Sequence, residues 1–212
     1  MTTSTPIGLL LATMEPPANI EEEFQDWYDT EHFPERQGCP GFLTATRFVC
    51  VDGFPRYLAM YDLSDVEVLR GEDYRKIAHA KYSAWTHRII SKVWGQYRAE
   101  GVQVYPGGAL HGKAGVSSRL VLWRFRAVPA DGEAALIAGL RALYEGKPGT
   151  VQLRVFRVAP NESGDYLAMA ESSTPPAPAD VAALGAAAKH VDLVNTYVAY
   201  ARQAPGAFPK SR

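Results

Sequence analysis

The run Trp27-Tyr28-Asp29-Thr30-Glu31-His32-Phe33-Pro34-Glu35-Arg36 concentrates side chains able to move a proton or hold an aromatic ring. Tyr28 and His32 are four residues apart, so on a helix they share a face. Pro34 forbids regular helical geometry just beyond His32. This sets the imidazole at a helix C-terminus, where the dipole favours its cation. Glu31 or Asp29 beside it would raise its pKa further. The expectation is an imidazole that changes protonation near neutral pH and acts as a general acid or base, oriented by Glu31 or Asp29. The same residues equally describe a structural imidazolium that caps helix carbonyls and pairs with a carboxylate.

Further candidates surround this run. In the strand-like stretch Arg56–Leu63, alternation puts Tyr57, Ala59, Tyr61 and Leu63 on one face and Leu58, Met60 and Asp62 on the other. If the tyrosine face looks at the helices, Tyr57 and Tyr61 join His32 and donate hydrogen bonds to an enolate or phenolate oxygen; otherwise they are core tyrosines with satisfied hydroxyls. Trp27, Tyr28, Tyr82 and Trp85 could enclose an aromatic ligand, and His79 and His87 lie nearby in sequence. The two histidines are eight apart, too far for an i, i+4 metal pair, and also read as helix-surface residues. A metal site on Glu31, His32 and Glu35 needs a further ligand that the sequence does not supply. No metal is expected, and no Gly-rich phosphate loop, Ser/His/Asp signature or paired-cysteine motif is present.

The elements that must position these residues occur twice. Tyr57-Leu58-Ala59-Met60 recurs as Tyr166-Leu167-Ala168-Met169. Before each copy comes Pro-Gly (Pro40-Gly41, Pro148-Gly149) and a strand. Before each Pro-Gly comes a helix, and before that an apolar strand. The first half reads as strand Ile7–Met14, helix Asn19–Glu35, strands Leu43–Val51 and Arg56–Leu63, a helical region Val66–Trp94 broken near Lys81–Ala84, and strand Tyr97–Val104. The second reads as strand Leu120–Ala127, helix Asp131–Tyr144, strands Val151–Val158 and Tyr166–Ser172 around a turn at Asn161–Asp165, helix Pro178–His190 and strand Val194–Arg202. Each half is a βαββαβ unit, whose four-stranded sheet carries helices on one face and must bury the other. The expected α+β architecture is therefore two ferredoxin-like modules packed sheet to sheet as an α/β barrel within one chain. Residues 1–106 form the first module and 107–117 a Gly-rich linker. Residues 118–212 form a second, degenerate module.

The halves differ at the chemistry. The Glu-His-Phe-Pro segment aligns with Leu143-Tyr144-Glu145-Gly146-Lys147, which has no histidine, and Tyr61 aligns with Ala170. The Ala182–Ala188 run offers nothing like Tyr82 or Trp85. One site per chain is expected, with the second half as a built-in partner lacking the polar side chains.

Composition narrows the function classes. The 212 residues are 47% hydrophobic and 21% charged, with a formal net charge of −1. No basic face for nucleic acid is implied. The apolar run Ile7–Ala12 is too short for a signal core or a membrane span. A soluble cytoplasmic protein with Cys39 and Cys50 as free thiols is the default, although a disulfide between them is compatible with the sequence.

The Trp-Tyr-x-x-Glu-His-x-Pro run, followed by Pro40-Gly41-Phe42, Arg47-Phe48 and Arg56-Tyr57-Leu58-Ala59-Met60-Tyr61, resembles the EthD-like branch of the dimeric α/β-barrel superfamily over about residues 7–100. The second half resembles that superfamily in element order only. The resemblance implies a small cofactor-poor protein, with a ligand pocket between sheet and helices lined by a histidine near the end of the first helix. It implies polyketide cyclase, decarboxylase, muconolactone-type isomerase or cofactor-free monooxygenase chemistry. The leading expectation is an enzyme acting without a cofactor on a small aromatic or enolisable carbonyl compound, as an isomerase, cyclase, dehydratase or decarboxylase. The alternatives are a cofactor-free monooxygenase and a non-catalytic binding or scaffold protein. The expected partner is a small molecule, with neither nucleic acid nor membrane, and homo-oligomerisation is open.

Overall fold

The computed structural model describes residues 6–78, 81–159 and 163–201. Strands β1 (Gly8–Glu15), β2 (Phe42–Asp52), β3 (Tyr57–Leu63), β4 (Trp94–Tyr105), β5 (Arg119–Phe125), β6 (Thr150–Val158), β7 (Tyr166–Ser172) and β8 (Val191–Ala199) close into one antiparallel barrel. Its order is β1-β3-β2-β8-β5-β7-β6-β4, with β4 returning to β1. Around the barrel, β4-β1-β3-β2 is followed by β8-β5-β7-β6. The seams between these sets are β2 against β8 and β4 against β6.

Every strand has a lumen face and a helix face, so several are buried on both. That explains why β3 and β7 are buried at every position and β1 at all but two. In both Tyr-Leu-Ala-Met copies the leucine and methionine point into the lumen and the tyrosine and alanine point out to the helices. The first outer layer contains α1 (Glu21–Trp27), α2 (Phe33–Gln37), α3 (Glu72–Arg75), α4 (Ala84–Ile90) and a 3-10 helix, Val66–Arg70. The second contains α5 (Glu133–Tyr144) and a 3-10 helix, Ala182–His190.

Most expected elements occur within a few residues of their assigned bounds, but three differ for physical reasons. First, the helix does not end after His32. A π-helical turn, Tyr28–His32, joins α1 to α2, and the Phe33 N–H reaches back to the Tyr28 carbonyl. Pro34, which has no N–H to place, is accommodated in the first turn of α2. Second, the Val66–Trp94 region contains three separate short helices among the described residues, and Trp94 already belongs to β4. Ser83 caps α4 by accepting the Thr86 N–H. Third, Pro178–His190 is not one helix: only Ala182–His190 coils, and Gly185 interrupts it at φ 57°, ψ −125°. The last strand consequently begins earlier, at Val191. The turn expected at Asn161–Asp165 and the end of the strand at Arg202 lie partly outside the described residues. Cys39 and Cys50 are both free thiols.

The Gly-rich segment between β4 and β5 plugs one end of the barrel. Its His111 N–H donates to Asp62 Oδ2 (2.6 Å), and its Leu110 carbonyl accepts from Gln152 Nε2 (3.0 Å). Within the lumen Arg154 Nη1 pairs with Asp62 Oδ1 (2.7 Å), and Nη2 lies 3.4 Å from Glu171. His111 Nδ1 is 3.0 Å from Glu171 Oε1. Asp62, Arg154 and Glu171 are wholly inaccessible to solvent.

Candidate functional site

The first helical layer gathers aromatic rings around His32. The imidazole is 7% exposed and lies against Trp27, with ring centroids 4.4 Å apart. Tyr28 meets it edge-on at 5.5 Å and Tyr82 at 6.4 Å. The wider π turn presents Tyr28 and His32 to the same core cluster, and turns of this kind recur at functional sites.

The electrostatics reverse the sequence expectation for His32. Burial, with Arg36 and Arg47 adding to it, pushes its pKa down to about 3, so the imidazole is neutral at pH 7. The anticipated raising by Glu31 or Asp29 fails because both carboxylates face elsewhere. Glu31 Oε1 accepts from Ser83 Oγ (2.5 Å) and Thr86 Oγ1 (3.0 Å). Asp29 pairs with Arg47. His32 Nδ1 has no hydrogen-bond partner among the described residues.

Tyr61 and Tyr57 both lie in the core cluster that holds Trp27 and Tyr28, but their hydroxyls differ in surroundings. Tyr61 is 2% exposed and packs on Phe33 and Phe42, and its hydroxyl has no partner among the described residues. Burial, with the neighbouring Tyr28, drives its pKa well above the ordinary phenol value. Burial also raises Tyr28, to about 12, against the opposing pull of Arg47 and Arg36. Tyr57 faces the helices as alternation requires, but its hydroxyl donates to Glu21 within the Glu15–Arg56–Glu21 ion cluster. Burial and Glu21 together hold its pKa near 12.

The expected aromatic enclosure is also partial. Trp27 and Tyr82 touch the imidazole. Trp85 is half-buried against the edge of the same core cluster and hydrogen-bonds Glu23 next to the Arg88–Glu23 pair. His87 is exposed and meets the edge of Tyr82, at 5.9 Å. His79 lies outside the described residues. No cluster of three or more His, Cys, Asp or Glu side chains able to hold a metal occurs among the described residues.

Two arginines complete the site. The Arg47 guanidinium is sandwiched between Tyr28 (4.3 Å) and Tyr200 (4.2 Å) and also donates to Gln25. A solvent-facing hollow of about 290 Å³ is lined by Arg47, Tyr200, Asp29 and Phe33. Arg36 is 2% exposed, donates to the Ile77 carbonyl (2.8 Å) and lies over Tyr74. It has no carboxylate partner among the described residues. Arg36 follows His32 by one i, i+4 step, a spacing that could have marked it.

The second half has no counterpart of His32 or Tyr61 at the aligned positions, where Tyr144, Lys147 and Ala170 stand. Between its sheet and helices lies a cavity of about 360 Å³ bordered by Trp123, Tyr144, Lys147, Thr150 and Ala170.

No family model and no curated protein matches the sequence. Solved structures do match in shape. An anthrone oxidase-like protein superposes with a TM-score of 0.65 at 16% identity, covering 94% of this chain and 93% of that one. A proposed monooxygenase from Lactobacillus acidophilus gives 0.54 at 7% identity, over 92% and 94% of the two chains. A heme-binding protein from Thermus thermophilus gives 0.51 at 9% identity, over 92% and 91%. Likeness at such identities concerns architecture, and the chain has the closed α/β-barrel fold of these proteins.

Proposed function

We propose that the chain is a small-molecule enzyme in which neutral His32 removes a proton from an aromatic or enolisable carbonyl substrate, without a bound cofactor. The observation that carries this reading is Arg36, a buried guanidinium with no carboxylate partner among the described residues, beside an imidazole whose Nδ1 is also unpartnered. A buried cation without an anion is costly. An oxyanion generated from substrate would complete the arrangement. His32, in the tautomer protonated on Nε2, would take the proton at Nδ1. Arg36 and the Tyr61 hydroxyl would receive the enolate or phenolate oxygen. An imidazole with a pKa near 3 is a weak base alone. Imidazolium and oxyanion arise together, however, and in a dry site their attraction raises the proton affinity of the ring as charge develops. Isomerase and lyase chemistry both begin with this step.

The names of two structural neighbours favour a second outcome from the same deprotonation. A carbanion at an activated methylene can pass its electrons to dioxygen. The CH2 then becomes C=O, with one oxygen atom retained and the other leaving as water. The heme carried in the name of the Thermus protein does not fit here. Among the described residues no His, Cys or Met lines the second-half cavity, the Tyr144 hydroxyl there is engaged by Trp123 Nε1, and His32 is packed against Trp27.

We also read the chain as a tandem duplication, with modules 1–106 and 118–212, from the EthD-like branch and resident in the cytoplasm. Supporting the duplication, Asp62 and Glu171 each stand five residues beyond the tyrosine of their Tyr-Leu-Ala-Met copy, and both contact Arg154. Free Cys39 and Cys50 suit a reducing compartment.

The test is turnover of a panel of enolisable aromatic ketones by the intact protein, with dioxygen uptake followed in parallel. His32→Ala and Arg36→Met should each abolish turnover while the circular dichroism spectrum is kept. Uptake of one dioxygen per ketone consumed selects the monooxygenase outcome. Unimpaired turnover in His32→Ala overturns the assignment.

A further inference from the structure

We propose that the second half carries its own small-molecule site, separate from His32, which takes a flat aromatic monocarboxylate. The sequence difference that opens it is the alanine standing where the first half has Tyr61. In the first half that tyrosine fills the space between sheet and helices. In the second, Ala170 occupies the matching strand position and a cavity of about 360 Å³ remains. The volume lies within the range of about 300–1,000 Å³ typical of ligand pockets. Val121, Trp123 and Ala170 form an apolar floor, the last turn of α5 forms one wall, and the Pro176–Asp180 segment forms the other. Proline fixes the backbone of that second wall, so little freedom is lost when a ligand binds.

Polar groups select the ligand. Trp123 Nε1 donates to the Tyr144 hydroxyl oxygen (2.7 Å), which fixes the phenol. The Tyr144 O–H itself has no acceptor among the described residues. Lys147, three residues beyond Tyr144, also borders the cavity and is exposed and without an ion pair among the described residues. A donor and a cation at one edge of an aromatic-floored slot match a carboxylate on a flat ring system. Asp180, on the proline-rich wall, accepts the Ala183 N–H (3.2 Å), and Glu171, which also borders the cavity, is held as a carboxylate by His111, Arg154 and Gln152. The two anions repel a ligand carboxylate from their sides and leave the Lys147 edge for a single one.

The experiment is calorimetric titration of the full chain with 2-naphthoate and, as the uncharged control, 2-naphthamide. One equivalent of 2-naphthoate should bind. Lys147→Gln should weaken it about fivefold or more while leaving the amide unaffected, Ala170→Leu should abolish it, and His32→Ala should leave it unchanged. Lys147 is exposed, so that variant reads out even if Ala170→Leu fails to fold. Absence of naphthoate binding, or affinity unchanged by Lys147→Gln, overturns the proposal. So does loss of binding in His32→Ala, which would place the probe at the other site.

Discussion

His32 lies nearly flat on Trp27, with 27° between the ring planes. The indole is itself held. Its Nε1 donates to Thr86 Oγ1 (2.9 Å), and Thr86 donates in turn to Glu31 (3.0 Å). Glu31 therefore reaches the imidazole through Thr86 and Trp27, as a positioning residue rather than a direct partner. Thr86→Val should leave the indole N–H buried and unpaired, at a cost of about 1–3 kcal/mol. It should lower kcat more than it raises KM. Thr86→Ser should restore both, as thermal melts and steady-state kinetics will check.

The depressed pKa of His32 has a stability consequence whose sign is fixed. The folded chain resists protonating the ring down to about pH 3, whereas the unfolded chain protonates it near 6.5. The contribution of neutral His32 is therefore whole above pH 6.5 and falls as pH drops from 6.5 toward 3. Its upper bound is about 5 kcal/mol. Urea midpoints measured across that range should decline in the wild type and flatten in His32→Gln. An equal decline in both would show that the ring is not buried and neutral.

Arg36 separates a functional from a structural role. A guanidinium kept for stability would make Arg36→Met destabilising, because its bond to the Ile77 carbonyl and its contact with Tyr74 are lost. A buried cation awaiting a substrate oxyanion should instead give a variant as stable as the wild type, or more stable by up to about 4 kcal/mol. That variant should be inactive. Melting temperature and turnover on one preparation decide between the two.

The lumen network supports the barrel end that the Gly-rich segment closes. Arg154→Met leaves the Asp62 and Glu171 carboxylates buried together and should cost about 3–5 kcal/mol in urea unfolding. Burial alone would raise the Glu171 pKa, but His111, Arg154 and Gln152 outweigh it and hold the carboxyl below its ordinary value. Its contribution is present above about pH 4.5 and lost as pH falls through the lower folded value. Glu171→Gln should therefore show a shallower acid limb than the wild type.

What the sequence revealed follows from which interactions are periodic. The Tyr-Leu-Ala-Met repeat was legible because both copies serve the same two faces of one closed sheet. Tyr28 and His32 were legible because their spacing shares a helix face. The His32 pKa was not, because it depends on where Glu31 and Asp29 turn, and Ser83, Thr86 and Arg47 that attract them lie on other elements. Pro34 read as a helix end because a π turn leaves no compositional mark. Asp62 was placed on the correct face of its strand, yet its partner Arg154 is 92 residues away. The second-half cavity was concealed by the substitution that makes it, since an alanine opposite Tyr61 reads as loss of function.

The central claim, proton removal by His32, is tested most directly by deuterium exchange. 2-Tetralone, a ketone whose C1 methylene is acidified by both its carbonyl and its ring, is incubated anaerobically in heavy water with the full chain, and loss of the methylene proton signal is followed by NMR. Exchange well above the buffer rate is expected with the wild type, with a fall of about 100-fold or more in His32→Ala. Exchange at the same rate in both proteins, or at the buffer rate with the wild type, would contradict it.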